Sequence, residues 1–143
     1  MPYRFLEDIA TADMAFEAWG ATREELFAAC ATALLAVMVH DPERIERRRD
    51  ITIRQQHEEL DLLLYSFLAE LIFLKDARRL LLHADTVRID DSADGFRLES
   101  HASGEEIDPR LHRLLVDVKA VTLHRFRVIC ENGTWRATVV LDI

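Results

Sequence analysis

The sequence predicts an α+β fold, with mostly antiparallel β-strands and two amphipathic helices in a single domain. Three observations predict it. Apolar residues recur at three- and four-residue spacing in two stretches, 26–38 and 60–72. The apolar period then changes to two over much of the remaining chain. Finally, Asn132-Gly133 separates two alternating runs, which is a strong hairpin signal. The chain has 143 residues, 50% of them hydrophobic and 31% charged. Such a length suits one domain of about 100–150 residues, and this composition excludes general disorder. Only four glycines and three prolines occur, with no linker or repeat, so one domain spanning 1–143 is expected.

The opening stretch 3–19 is short and mixed, and within it 14–19 alternates as a strand. Gly20 breaks that pattern. Thr22 and Glu25 then form a capping box: the Thr22 hydroxyl can accept from the Glu25 amide, and the Glu25 carboxylate from the Thr22 amide. Leu26, Cys30, Ala33, Leu34, Val37 and Met38 make the stripe of the first helix, which ends near His40-Asp41-Pro42. Residues 47–54 read as a half-buried strand with Ile51 and Ile53 inward. The second helix runs over 57–75, and its wide stripe predicts packing against a sheet. Residues 80–90 and 95–102 read as paired strands around the turn at 91–95.

Residues 116–130 read as one long strand, bent or straight, and 134–143 as the last strand. The Asn-Gly turn sets their register. It places Glu131 opposite Thr134, Cys130 opposite Trp135, Val128 opposite Ala137, Phe126 opposite Val139 and His124 opposite Leu141. That face is mostly apolar and is the predicted core face, with Val140 the exception on the wetter side. The same register sets Asp142 against Leu123.

With 18 basic and 26 acidic side chains, the net charge is −8. A chain this acidic is not a general binder of phosphate backbones; any RNA contact would run through a partner. Cys30 and Cys130 belong to no CxxC pair, which excludes a disulfide scaffold, and both read as small core residues. Neither a signal-type N-terminus nor an apolar run of about 20 residues is present, so the expected compartment is the reducing cytoplasm, with no membrane partner.

Catalytic machinery is sparse. No G-x-S-x-G, phosphate-binding glycine loop or H-E-x-x-H occurs, and the six histidines show no metal-ligand spacing. His124 reads as a satisfied core histidine. The carboxylates are more informative. Asp142 and the terminal carboxylate expected on Ile143 would sit at a rigid strand end, and a further aspartate would complete an all-oxygen site for Ca²⁺ or Mg²⁺. A solvated strand end is the plainer alternative for Asp142. Lys119 is one of two lysines beside sixteen arginines, and it lies in a stretch apolar enough for a central strand. It snorkels from an edge, pairs with a carboxylate or serves a function. In the straight register it stands about 13–14 Å from Asp142, at ~3.4 Å per residue. The run 44–49 is the one basic cluster and reads first as a charge-protected edge strand.

Several segments taken together resemble the archease family. Phe5-Leu6-Glu7, Thr11-Ala12-Asp13 and Ala18-Trp19-Gly20 are similar to its opening. Val118-Lys119-Ala120-Val121-Thr122-Leu123-His124 resembles its central VKAVTxH segment, and residues 133–143 its terminal strand. One departure is visible: Asp8-Ile9-Ala10 stands where the family has a single histidine. The resemblance implies an accessory protein of the RtcB-type RNA ligase, and not an enzyme itself. Such proteins promote ligase guanylylation and multiple turnover in tRNA splicing and RNA repair, meeting RNA and GTP only through the ligase. It implies a divalent-cation site at Asp13, Asp142 and Ile143, with Ca²⁺ the first expectation and Mg²⁺ or Mn²⁺ the others, and a functional role for Lys119. Two other classes stand beside this one: a stand-alone metal-dependent phosphohydrolase, and a chaperone-like interaction module. The oligomeric state is left open.

Overall fold

The computed structural model describes residues 2–7 and 13–143. Two antiparallel sheets enclose two helices. Strand β1 is Tyr3–Leu6, β2 Asp13–Gly20, helix α1 Arg23–Met38, β3 Arg49–His57, α2 Leu60–Arg78, β4 Leu80–Ser92 and β5 Gly95–Glu106. Three more strands follow: β6 Ala120–Val121, β7 Arg127–Glu131 and β8 Thr134–Asp142. One sheet has the order β1-β2-β8-β6, with β7 also pairing β8; the other has the order β3-β5-β4. The α+β class is as the periodicities predict.

The capping region is close to expectation. Thr22 Oγ1 accepts from the Glu25 amide at 3.1 Å. Glu25 Oε2 accepts from the Ala21 amide, not from that of Thr22. α1 ends at Met38, with Val39 as its cap. It touches β2 and β8 of one sheet and β4 of the other, so its buried side chains wrap most of its circumference. α2 also touches both sheets. Phe27 and Phe67 stack between the helices at 6.2 Å. No helix among the described residues is long and apolar enough to cross a membrane.

Asn132 and Gly133 both take positive φ, 52° and 77°, as a type I′ hairpin requires. The predicted pairing holds from Glu131–Thr134 to Arg127–Thr138 and fails beyond it. The region 116–130 is not one strand. Five residues separate Val121 from Arg127, against two between their partners Leu141 and Thr138 on β8. Three residues are therefore in excess and form a turn. Its causes are local. The Thr122 amide and hydroxyl both donate to the Val140 carbonyl, at 3.0 Å each. Phe126 turns edge-on to Tyr65 of α2 instead of meeting Val139.

Several side-chain assignments change as a result. His124 is exposed, not a core histidine, and Cys130 is exposed while Cys30 is buried. Val140 is fully buried. Lys119 lies outside any strand and is exposed, because residues 116–119 approach β6 as irregular chain. Asp142 faces Ala120, not Leu123. β1 carried no periodic signal and is present because β2 supplies its partner. The arginine run does border an edge strand, β3, and its side chains are locally paired: Arg47 with Asp85, Arg48 with Glu46 and Arg49 with Glu106.

Candidate functional site

The end of the five-stranded sheet gathers the residues singled out from sequence. β2 and β8 run antiparallel with Asp13 directly opposite Asp142. Residues opposed in this way project to the same side, with Cβ atoms about 4.5–5.5 Å apart, and like charges there destabilise the pair. On the other side of β8, Ala120 faces Asp142, and the Lys119 amide donates to the Asp142 carbonyl at 2.8 Å. The three-residue turn thus draws Lys119 up to Asp142, which replaces the 13–14 Å of a straight strand. Asp13 is half-buried, Asp142 exposed, and Ile143 packs partly against the core. Residues 8–10, where the sequence departs from the archease pattern, lie outside the described residues.

Two aspartates and main-chain oxygens form a hard donor set of the kind Ca²⁺ accepts. Among the described residues, no group of three His, Cys, Asp or Glu side chains could hold a metal ion. Any ion at this end would therefore draw further oxygens from main chain or water.

A second cluster, not identified from the sequence, holds the approach to Lys119. Lys75, in the last turn of α2, is only 6% exposed. Its ammonium donates to Asp117 Oδ1 at 2.7 Å and to the Val118 carbonyl at 2.6 Å, and pairs with Asp76 at 2.8 Å. Burial alone would push this ammonium toward deprotonation. The bonds to Asp117 and Asp76 outweigh that and leave its pKa raised. One signal was available: Lys75 continues the Leu68–Leu71 stripe at helical spacing.

A third contact ties down the start of the same connector. His112 Nδ1 accepts from the Asp108 amide at 2.9 Å, which leaves Nε2 to donate to Glu105 Oε1 at 2.7 Å. The His112 bond holds the Glu105 carboxyl below the usual carboxylate range, against the opposing effect of burial. The connector between β5 and β6 is thus pinned at both ends. The Cys30 thiol is pushed up by complete burial and is no nucleophile.

Comparisons with known proteins bear on the family and the overall fold. The model of the Archease protein family matches residues 3–143. The archease of Thermococcus gammatolerans is 39% identical over 134 residues, which is 93% of this chain and 94% of that protein. The Pyrococcus furiosus archease is 38% identical over the same shares. The solution structure of protein 1598 of Methanobacterium thermoautotrophicum is 35% identical, with a TM-score of 0.87 over 99% of each chain. A crystal structure from Thermotoga maritima, described as an archease and possible chaperone, is 18% identical. It has a TM-score of 0.62 over 98% of each chain, a likeness of fold alone.

Proposed function

The chain belongs to the archease family, and from that premise we propose that it is an accessory protein of an RtcB-type RNA ligase. In this reading it promotes guanylylation and repeated turnover of the ligase in tRNA splicing or RNA repair, and it makes no bond itself. The observation that carries the proposal is the opposition of Asp13 and Asp142 across β2 and β8, with the Lys119 backbone on Asp142. Two carboxylates facing each other across paired strands repel, and a cation between them would relieve that repulsion.

Asp13 and Asp142, with main-chain oxygens of Ile143, would hold the ion. Ca²⁺ suits these oxygens, and Mg²⁺ or Mn²⁺ are the alternatives. A divalent ion supplies positive charge against phosphate oxygens during nucleotidyl transfer. Asp13 and Asp142 hold their carboxylates toward one side of the sheet, so an ion there stays at the strand end. Lys119, fixed by its amide, presents an ammonium that meets a phosphate or an acidic group of the ligase. The Lys75 clamp keeps residues 117–118, and with them Lys119, at this end of the sheet.

The test is ligation by the ligase of the same organism, with and without the protein, scoring the ligase–GMP adduct. The expected result is more adduct and repeated turnover. No change in either would overturn the proposal, as would substrate hydrolysis by the purified protein with Mg²⁺ or Mn²⁺ and no ligase. A chaperone-like reading draws on the exposed Leu111, Leu114 and Leu115. It predicts that substitutions spread over the surface weaken activity as much as Asp142→Asn does.

A further inference from the structure

Residues 118–130 contain no acidic side chain, in a chain that has 26. They carry Lys119, His124, Arg125 and Arg127. Among the described residues, Lys119, Arg125 and Arg127 form no ion pair, whereas many arginines elsewhere, such as Arg23, Arg47, Arg49, Arg54 and Arg88, find carboxylates. At the tip of the excess turn stands Leu123, 62% exposed.

The turn is built rather than slack. The Phe126 amide donates to the Leu123 carbonyl at 3.2 Å, and the His124 amide to Thr122 Oγ1 at 3.3 Å. Thr122 anchors one foot on Val140, and Phe126 anchors the other on Tyr65. Arg125 has φ 51°, a region glycine enters freely and arginine does not. The position thus holds a guanidinium where the backbone alone would favour glycine. A non-glycine residue held in this region of backbone space is a reason to look for function.

We infer that turn 123–127 is a docking prong. It seats Leu123 in an apolar depression rimmed by carboxylates on a protein partner, with Arg125, Arg127 and Lys119 facing that rim. The inference rests on the functional reading above in naming the RNA ligase as that partner. An exposed leucine with Lys119, Arg125 and Arg127 within four residues of it matches a protein surface, where a buried apolar anchor with charge complementarity gives affinity and orientation. It suits RNA poorly. Single-strand readers stack bases on aromatic rings, and the net charge of −8 opposes a phosphate backbone at long range. Thr122 lies two residues from Ala120, which faces Asp142, or about 7 Å along the strand. A partner seated on the prong therefore lies within reach of the strand end that bears Asp13 and Asp142.

The test measures binding of the full-length protein to the ligase of the same organism across a salt series. It compares Leu123→Ser, Arg125→Gly and, as control on the other sheet, Arg88→Ala. Arg125→Gly suits the backbone of the turn, so it removes the cation without unfolding the protein. Each prong variant is expected to weaken binding about tenfold or more, and Arg125→Gly to flatten the salt dependence; Arg88→Ala is expected to bind as the parent does. Prong variants that bind as tightly as the parent overturn the prong alone, and adduct stimulation by the parent then leaves the functional reading standing. A loss confined to binding of a single-stranded RNA oligonucleotide also overturns it. A parent protein that does not bind the ligase overturns both.

Discussion

The three-stranded sheet and the outer edge of the five-stranded sheet both present arginines to solvent, and they treat the charge differently. On the first, Arg47 meets Asp85, Arg49 meets Glu106, Arg54 meets Glu99 and Arg88 meets Asp90, and of the arginines on its strands Arg97 alone is in no ion pair among the described residues. On the second, Arg125 and Arg127 meet no carboxylate among the described residues, while Asp13 and Asp142 face each other across neighbouring strands. Paired surface ions contribute little, about 0–1 kcal/mol each, and their main effect is a solvated, self-satisfied face. A strand end that leaves like charges together and cations without partners is unsatisfied until something binds. Under the proposed function, the difference separates a scaffold surface from a working one.

The largest expected effect lies on the working side. Asp142→Asn, or Asp13→Asn, should cut stimulation of ligase–GMP formation about tenfold or more, by analogy with losses at metal centres. Thermal unfolding should show these variants folded and no less stable, because removing one of two facing carboxylates relieves repulsion of about 0.2–1 kcal/mol. A variant that loses both stability and activity would break the comparison, since Asp142 would then be a structural residue.

Lys75→Met comes next. It leaves the carbonyl of the buried Val118 without its ammonium, at a cost of about 1–3 kcal/mol, while the exposed Asp117 carboxylate turns to water. Hydrogen exchange should quicken over 116–119 before the rest of the domain, and stimulation should fall with it. Unchanged exchange there would show that Lys75 does not hold the approach to Lys119.

Acid sensitivity gives a smaller effect. Glu105 has a lowered pKa in the fold, so its contribution is fully present above the ordinary carboxylate pKa and is lost as pH falls through the lowered value. Stability should therefore drop on acidification below about pH 4. Glu105→Gln should flatten that limb of a melting-temperature profile while lowering the neutral plateau by about 1 kcal/mol. An unchanged profile would remove the pair with His112 from the account. The smallest effect is expected for Arg88→Ala, with the chemical-denaturation midpoint and the stimulation both unaltered. A loss of stimulation would mean that the three-stranded sheet also binds something.

Local patterns carried most of the architecture. The Asn132-Gly133 turn, the Thr22 cap and the helical stripes each depend on residues a few positions apart, and each is present in the fold. The alternating pattern of 116–130 misled because a three-residue excess leaves no mark on it. Leu123-His124-Arg125 contains no glycine, proline or asparagine to announce a turn, and Arg125 occupies a backbone region its type rarely enters. The meeting of Asp13 with Asp142 depends on β2 pairing with β8, across more than a hundred residues. No periodicity encodes that pairing; Asp13 was reached only through the family resemblance. His112 was equally hidden, because its partner Glu105 lies beyond the Asp108-Pro109 loop.

The most direct measurement is a calorimetric titration of Ca²⁺ into the full-length protein, run in parallel with Asp13→Asn and Asp142→Asn. The account predicts one saturable site in the parent, a melting temperature that rises with Ca²⁺, and neither effect in either variant. Heats and melting temperatures that do not distinguish the parent from the variants would contradict it.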